Sequence, residues 1–446
     1  MQSWLDENLT DLITKHGVPA ASVAVLAGGE VSTAAAGILN LNTGVEATTD
    51  SVFQIGSITK LWTTTLIMQL VADGKLDLDR PVREYLPGFR LADEAAAAAI
   101  TPRQLLTHTS GFSGDAFTAT SRGDDAVELF VDDVLPELPQ EIPPGAGFSY
   151  NNSGFVVLGR IAEVLRGKPY HQLIREHIAV PLELGHVATI PDEALLYRAA
   201  LGHIAPQPGD PVQAAPMWSL VHAMAPAGSL LAMSAGDLLT FGRAYLDATL
   251  LDRATIDRLW EPQIDVPAIG GFAEQWGLGW MIFAGGLYGH DGGTIGQSAF
   301  FRLVPEHGVA IVLLTNGGDT GALYDELVGH ILRETTGIVL PARPLPPEQP
   351  VDVLSELVTG RYTGVLQQST VSVEDGEFWV LDEAVSDEAR ALLPEPRRTR
   401  LVGLDESRLI AAEPERGVHE VLAFRSPVDG RAGYLFRGGR LTPRSN

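Results

Sequence analysis

Phe53-Gln54-Ile55-Gly56-Ser57-Ile58-Thr59-Lys60-Leu61-Trp62 is the stretch from which the rest of the chain reads. A short apolar run ends at Gly56, and a helix opens at Ser57, so Ser57 and Lys60 share one helical face with the amine in reach of the hydroxyl. A serine hydroxyl is a poor nucleophile until a base takes its proton, and lysine is a base only while its amine is neutral. Lowering a lysine from ~10.4 to about 7.5 takes roughly 4 kcal/mol of environmental bias, which a built site supplies and an open surface does not. A capping serine followed by an exposed lysine has the same spacing. Two things favour the catalytic reading: of the four lysines (Lys15, Lys60, Lys75, Lys168) only Lys60 has a serine three residues before it, and two further elements follow in order.

The first of these is Tyr150-Asn151-Asn152, in the Gly- and Pro-rich segment Pro143-Pro-Gly-Ala-Gly-Phe-Ser-Tyr-Asn-Asn-Ser-Gly154 that leads into a helix at Phe155. A phenol there relays a proton and an amide holds a substrate amide; the plainer alternative is a tyrosine packed under a loop with asparagines capping the next helix. The second is Gly289-His290-Asp291-Gly292-Gly293-Thr294-Ile295-Gly296, expected where one sheet strand ends and the next begins. Its glycines admit a close backbone approach, whereas a phosphate loop would need G-x-x-x-x-G-K-[ST], which is missing here. On its own, His290 also reads as a hydrogen-bonded structural histidine.

Working outward, Trp4 to Ile13 recur at helical spacing, and Ala21 to Leu26 with Glu30 to Gly37 form a hairpin across Gly28-Gly29. Further strands are expected at Trp276 to Phe283, Gln297 to Val304 and Val309 to Thr315, so that terminal segments share one sheet. Helices at Leu61 to Asp73, Thr101 to His108, Phe155 to Arg166, Tyr170 to His177 and Ser234 to Leu246 form an insert between the sheet's two halves, and a helix from Gly321 to Glu334 closes the unit. Five prolines between Pro341 and Pro350 mark a stiff linker. Beyond it, Gly360 to Leu366, Thr370 to Val373, Glu377 to Leu381, Val421 to Phe424 and Gly433 to Phe436, with turns at Asp375-Gly376 and Asp429-Gly430, read as a small all-β unit carrying no catalytic constellation. The loops Phe112 to Pro139 and Gly202 to Met217 are the expected walls of a substrate site.

Composition narrows the chemistry. With 31 Lys plus Arg against 56 Asp plus Glu the net charge of −25 disfavours nucleic acid and anionic lipid as partners. The lack of cysteine removes disulfides, thiolate metal sites and a cysteine nucleophile. The first residues are acidic where an export signal is basic, and no apolar run approaches the ~18 residues of a membrane span, so a cytoplasmic location is expected.

Taken together, Ser57-x-x-Lys60, Tyr150-x-Asn152 and His290-x-Gly292 resemble the three motifs of the serine penicillin-recognising enzymes, which include class C β-lactamases, D-alanyl-D-alanine carboxypeptidases, D-aminopeptidases and β-lactamase-type esterases. Thr101-Pro-Arg-Gln-Leu-Leu-Thr-His-Thr-Ser-Gly111, Pro181-Leu-Glu-Leu-Gly185, Pro226-Ala-Gly228, Ser234-Ala-Gly-Asp237 and Trp276-Gly-Leu-Gly-Trp280 extend the resemblance over about residues 1 to 338. It implies an α+β, β-lactamase/penicillin-binding-protein-like fold: an antiparallel sheet flanked by helices, with a helical insert and a small C-terminal lipocalin-like β-barrel. The implied divisions are a catalytic domain at 1–340, a linker at 341–352 and a barrel at 353–446.

The same resemblance makes Ser57 the acylated nucleophile, Lys60 its base and Tyr150 the proton shuttle, with Asn152 gripping substrate alongside Gly292 and Gly293. The N–H groups of Ser57 and Gly293 would form the oxyanion hole, and no metal or cofactor is implied. His290 stands where relatives often carry lysine, and would support Tyr150 electrostatically or contact a substrate carboxylate. Its presence removes the permanent charge that would meet a β-lactam. The domain plan is similar to that of penicillin-binding-protein-type thioesterases, stand-alone cyclases of nonribosomal peptides. The implied activity is therefore cyclisation or acyl transfer of a peptidyl ester or thioester with a D-residue near the scissile carbonyl, delivered by a peptidyl carrier protein. The alternatives are an esterase, a D-aminopeptidase or D-Ala carboxypeptidase, a β-lactamase-like hydrolase, and a binding protein that has lost catalysis.

Overall fold

In the computed structural model, which describes residues 1–206, 209–387, 389–391, 395–415 and 417–445, the alternation of one short strand shows how the catalytic unit is layered. In β1 (Ala20–Ala27), Ala20, Ala24 and Leu26 enter one hydrophobic core while Ala21, Val23 and Val25 enter another. A strand buried on both faces must be apolar at every position, which is why this run does not alternate with polar residues. β2 (Glu30–Asn40) returns across Gly28-Gly29, whose φ angles of 59° and 80° suit a type I′ hairpin.

The later strands are β3 (Gln275–Trp276), β4 (Met281–Phe283), β5 (Leu287–Gly293), β6 (Ser298–Val304) and β7 (Val309–Thr315). They complete a nine-stranded antiparallel sheet in the order Val45–Glu46, β2, β1, β7, β6, β5, β4, β3, Ile264–Asp265. β7 pairs with β1 in the register Val23↔Leu313, so the two ends of the catalytic unit do share one sheet. Two strand expectations need correction. Trp276 to Phe283 is not one strand but the hairpin β3–β4, because the chain reverses at Gly279 (φ 78°), where a Cβ would stand 2.2 Å from Thr64 Oγ1. The segment from Gly289 to Gly293 does not lie between strands; it is the second half of β5, and only Thr294 to Gly296 forms the turn into β6.

Helices α1 (Gln2–Lys15) and α6 (Thr320–Thr336) cover one face of the sheet. The other face meets the insert: α2 (Thr59–Ala72), α3 (Pro102–Leu106), α4 (Asn152–Arg166) and α5 (Ala235–Leu246). Thr101 caps α3 with a reciprocal Thr101–Gln104 capping box, and Pro102 occupies its first turn.

The C-terminal part is a closed eight-stranded barrel of β8 (Gly360–Thr363), β9 (Gln367–Glu374), β10 (Glu377–Ala384), β11 (Arg397–Asp405), β12 (Arg408–Ala411), β13 (Val421–Val428), β14 (Arg431–Arg437) and β15 (Arg440–Ser445). Asp375-Gly376 and Asp429-Gly430 make the expected tight turns, all four residues at positive φ. Strands β11, β12 and β15 were not anticipated, since arginines punctuate them where the anticipated strands carry runs of Val, Tyr, Phe and Trp. The barrel does not stand apart. Ala423, Phe436 and Leu441 pack in one buried cluster with Ile142, Phe148, Tyr150, Trp276 and Met281, and the Tyr150 N–H donates to Gly439 O at 2.8 Å.

Candidate active site

Residues 56–58 form a single 3₁₀ turn that runs into α2, and this places Lys60 Nζ 3.1 Å from Ser57 Oγ. Lys60 is fully buried, yet among the described residues no carboxylate pairs with it; it also lies 2.7 Å from both Asn152 Oδ1 and Ala227 O. Both of those oxygens only accept, so they consume two N–H groups. Burial is the first cause that holds this amine well below its usual range, and the nearby Arg440 charge adds to it, while Asp115 opposes. A neutral amine that donates twice has one lone pair left, and that lone pair faces the Ser57 hydroxyl. In its neutral form Lys60 is placed to act as a base on Ser57.

Tyr150 closes the triangle. Its phenol is hydrogen-bonded to Ser57, and Lys60 Nζ lies 4.8 Å from its ring centroid. Burial pushes the phenol's pKa up, so Tyr150 is a proton donor here and not a phenolate base. Its ring is boxed by His108 at 4.3 Å and Trp276 at 5.8 Å between centroids. His108 itself sits at φ 55° and accepts the Asn151 N–H through Nδ1 at 2.9 Å, which fixes the loop entering α4.

Asn151 and Asn152 divide the work at that helix start. Asn151 is the N-cap, its side chain accepting from Gly154 N, as the capping alternative foresaw. Asn152, expected to grip substrate, has both ends of its amide engaged within the protein: Oδ1 accepts a hydrogen bond from Lys60 Nζ and Nδ2 donates to Asp115 Oδ1 at 2.8 Å. These two bonds tie Lys60 to Asp115 through Asn152.

His290 is 1% exposed. Its Nδ1 lies 2.6 Å from the Asp291 carbonyl oxygen, which makes Nδ1 the protonated nitrogen and leaves Nε2 a buried lone pair without a hydrogen-bond partner among the described residues. Burial first, then Lys60, lowers its pKa to about 3. Burial thus favours the neutral ring, so any electrostatic support His290 gives Tyr150 comes without a full charge. Strand alternation turns Asp291 to the opposite face, where it pairs with the buried Arg302 at 2.6 Å.

Gly292 and Gly293 lie against the turn that carries Ser57. A Cβ on Gly56 would stand 2.6 Å from Gly293 N, and one on Gly292 would stand 1.9 Å from Ile55 O and 3.2 Å from Ser57 N. Only glycine lets these backbones meet, and the meeting brings the Ser57 and Gly293 amides side by side, with open space on the far side of Gly293. β4 pairs with β5 only as far as Gly289, so the outer edge of His290–Gly293 has no strand partner among the described residues, and an extended substrate can add there.

The profile of the β-lactamase family matches residues 5–333. The chain belongs to the β-lactamase family. Penicillin-binding protein 4 of Amycolatopsis lactamdurans is 38% identical over 368 residues, which is 80% of this chain and 96% of that one. Among solved structures, SurE with D-Leu is 27% identical with a TM-score of 0.76, covering 100% of this chain and 99% of that one. The D-amino acid amidase of Ochrobactrum anthropi SV3 complexed with D-phenylalanine is 26% identical with a TM-score of 0.60, covering 70% of this chain and 92% of that one. This β-lactamase-family protein is accordingly a serine enzyme of acyl transfer or hydrolysis. Among the described residues no cluster of His, Asp or Glu is placed to hold a metal ion, and no helix is long and apolar enough to cross a membrane.

The sequence did not disclose what the barrel brings to this site. Arg440, at the start of β15, pairs with Asp115 at 2.9 Å and places its guanidinium 4.9 Å from the Tyr150 ring centroid. Between barrel and insert lies a cleft of about 290 Å³ lined by Tyr150, Asp115, Glu141, Gln367, Arg437 and Arg440 among others. The 112–139 loop supplies Ser113, Gly114 and Asp115 to it, whereas nothing from 202–217 lines it; that segment packs through His203 on Gly296 and Asn316, and its residues 207–208 lie outside the described residues. The pointer available in sequence was Gly438-Gly439-Arg440, a tight turn followed by a cation, which resembles any hairpin end.

Proposed function

We propose that this protein is a stand-alone peptide cyclase or transacylase that works through an acyl-Ser57 intermediate on a peptidyl ester or thioester with a D-residue near the scissile carbonyl. The observation that carries the reading is the barrel hairpin around Gly439 lying on Tyr150, which puts a walled cleft beside it. The similarity to SurE with D-Leu along the whole chain, and to a D-amino acid amidase over the catalytic part, supports it.

The steps follow from the hydrogen bonds. Lys60 takes the Ser57 proton, Oγ bonds the substrate carbonyl carbon, and the oxyanion is held by the Ser57 and Gly293 N–H groups. The carbon–sulfur or carbon–oxygen bond then breaks, with a proton reaching the leaving group through Tyr150. In the second half an amine nitrogen bonds the acyl carbon, the carbon–Oγ bond breaks, and the amine's proton returns to Oγ. A tethered amine competes with water because its effective concentration is high, ~10⁵ M or more in well-oriented cases. A carrier-borne thioester would meet the enzyme in the cytoplasm.

The test is product partitioning on a linear peptidyl thioester ending in an L- or D-residue, read by mass spectrometry with Ser57→Ala as control. Cyclic or aminolysed product from the D-substrate, and a covalent adduct lost in Ser57→Ala, is the expected result. Hydrolysed product alone from both configurations, with fast cleavage of p-nitrophenyl esters, would refute the reading in favour of an esterase.

A further inference from the structure

Six charged side chains line the cleft between the barrel and the insert: Asp115, Glu141, Arg397, Glu420, Arg437 and Arg440. Five have an oppositely charged partner. Arg440 holds Asp115 at 2.9 Å, Arg437 holds Glu420 at 2.6 Å and the fully buried Asp382 at 2.7 Å, and Arg397 bonds Glu415 and approaches Asp382 at 3.4 Å. Glu141 has none within ion-pair distance among the described residues. Its carboxylate accepts a hydrogen bond from the Val365 backbone, and Oε1 lies 3.8 Å from where a Cβ would stand on Gly364, so it is held at the β8–β9 turn that forms the far wall of the cleft. Burial, reinforced by the neighbouring Asp115 charge, raises its pKa to about 7 despite Arg440 nearby.

A carboxyl so placed either holds a proton or is matched by a cation that enters the cleft. The three arginines are each paired with other carboxylates, so the cation that suits Glu141 is a compact one from the substrate. The cleft is lined by Tyr150 and Asp115, of which Tyr150 is hydrogen-bonded to Ser57 and Asp115 is linked through Asn152 to Lys60. We propose that Glu141 is a specificity residue that binds the primary ammonium group of the substrate, either the amino group of the acyl donor or that of the acceptor that captures acyl-Ser57. This rests on the acyl-Ser57 chemistry proposed above.

The experiment compares wild type with Glu141→Gln, which preserves the acceptor for Val365 N–H while removing the charge. In one arm Ser57 is acylated by D-aminoacyl thioesters with a free or an acetylated amino group, and KM is read. In the other, the acyl-enzyme from the acetylated donor is partitioned between water and an added amine. A charge-assisted hydrogen bond predicts a loss of roughly tenfold or more, in KM for the free-amine donor if the ammonium is the donor's own, or in the aminolysis ratio if it is the acceptor's. Changes within about twofold in both arms would overturn the assignment, against an expected effect several times larger. So would slowed acylation by the acetylated donor, which would make Glu141 part of the framework. Failure of the cyclase reading looks different, because wild type would then give only hydrolysis in the second arm while the first arm still reports on Glu141.

Discussion

Replacing Arg440 with Gln should move the pH dependence of Ser57 acylation, although Arg440 touches neither Ser57 nor Lys60. Lys60 Nζ and the Arg440 guanidinium lie within 5 Å of the same Tyr150 ring centroid, at 4.8 and 4.9 Å. They are therefore at most about 10 Å apart, and at an effective dielectric of ~20 that separation is about 1.7 kcal/mol of repulsion. Arg440 is 38% exposed, so solvent screening reduces this to about 1 kcal/mol, or ~0.7 of a pH unit. The variant also frees the Asp115 charge, which acts on Lys60 in the same direction. Acylation needs neutral Lys60, so its rate climbs as pH rises through the lysine pKa. Removing the guanidinium raises that pKa and shifts the ascending limb to higher pH by ~0.5 to 1 unit. The assay is single-turnover acylation by a p-nitrophenyl ester from pH 5 to 9, with Arg440→Lys retaining the wild-type limb. A limb that stays in place, or moves to lower pH, would refute the electrostatic link between barrel and base.

Lys60→Met and Tyr150→Phe should each lower turnover by ~10² to 10⁴ with the fold intact, since both act in proton transfer; near-normal rates would sink the proposed roles. Gly228→Ala should cost about 1–3 kcal/mol by denaturant unfolding and depress acylation, because Gly228 sits at φ 122° and a Cβ would stand 2.2 Å from Gly56 O in the turn carrying Ser57. Arg437→Met should destabilise the barrel by about 3 kcal/mol, as it strips the fully buried Asp382 of its nearest cation; an unchanged unfolding midpoint would show Arg397 to be sufficient.

The legible part of this protein was whatever depends on local chemistry. Ser57 and Lys60 are three residues apart on one helix, so their contact was readable from spacing alone, and the sheet came through wherever both faces were buried, as in β1 and β7. What stayed hidden depended on contacts far apart in sequence. Asp115 and Arg440 meet across 325 positions, and nothing in either neighbourhood signals the other. The partners of Asn152 were hidden for a related reason: an amide has two ends, and which of Lys60, Asp115 or substrate takes each is decided by tertiary placement. The neutral state of His290 likewise follows from burial that a single sequence does not report.

The barrel closes where β15 pairs with β8, and the hairpin that β15 forms with β14 is the one that reaches Tyr150. During synthesis the ribosome will have released the nucleophile, its base and the phenol long before this strand emerges. A catalytic unit folding in that interval holds Ser57 and Lys60 with one wall of the cleft missing and the Arg440 charge not yet present. The Arg440 charge beside Tyr150 therefore comes only with β15 in place.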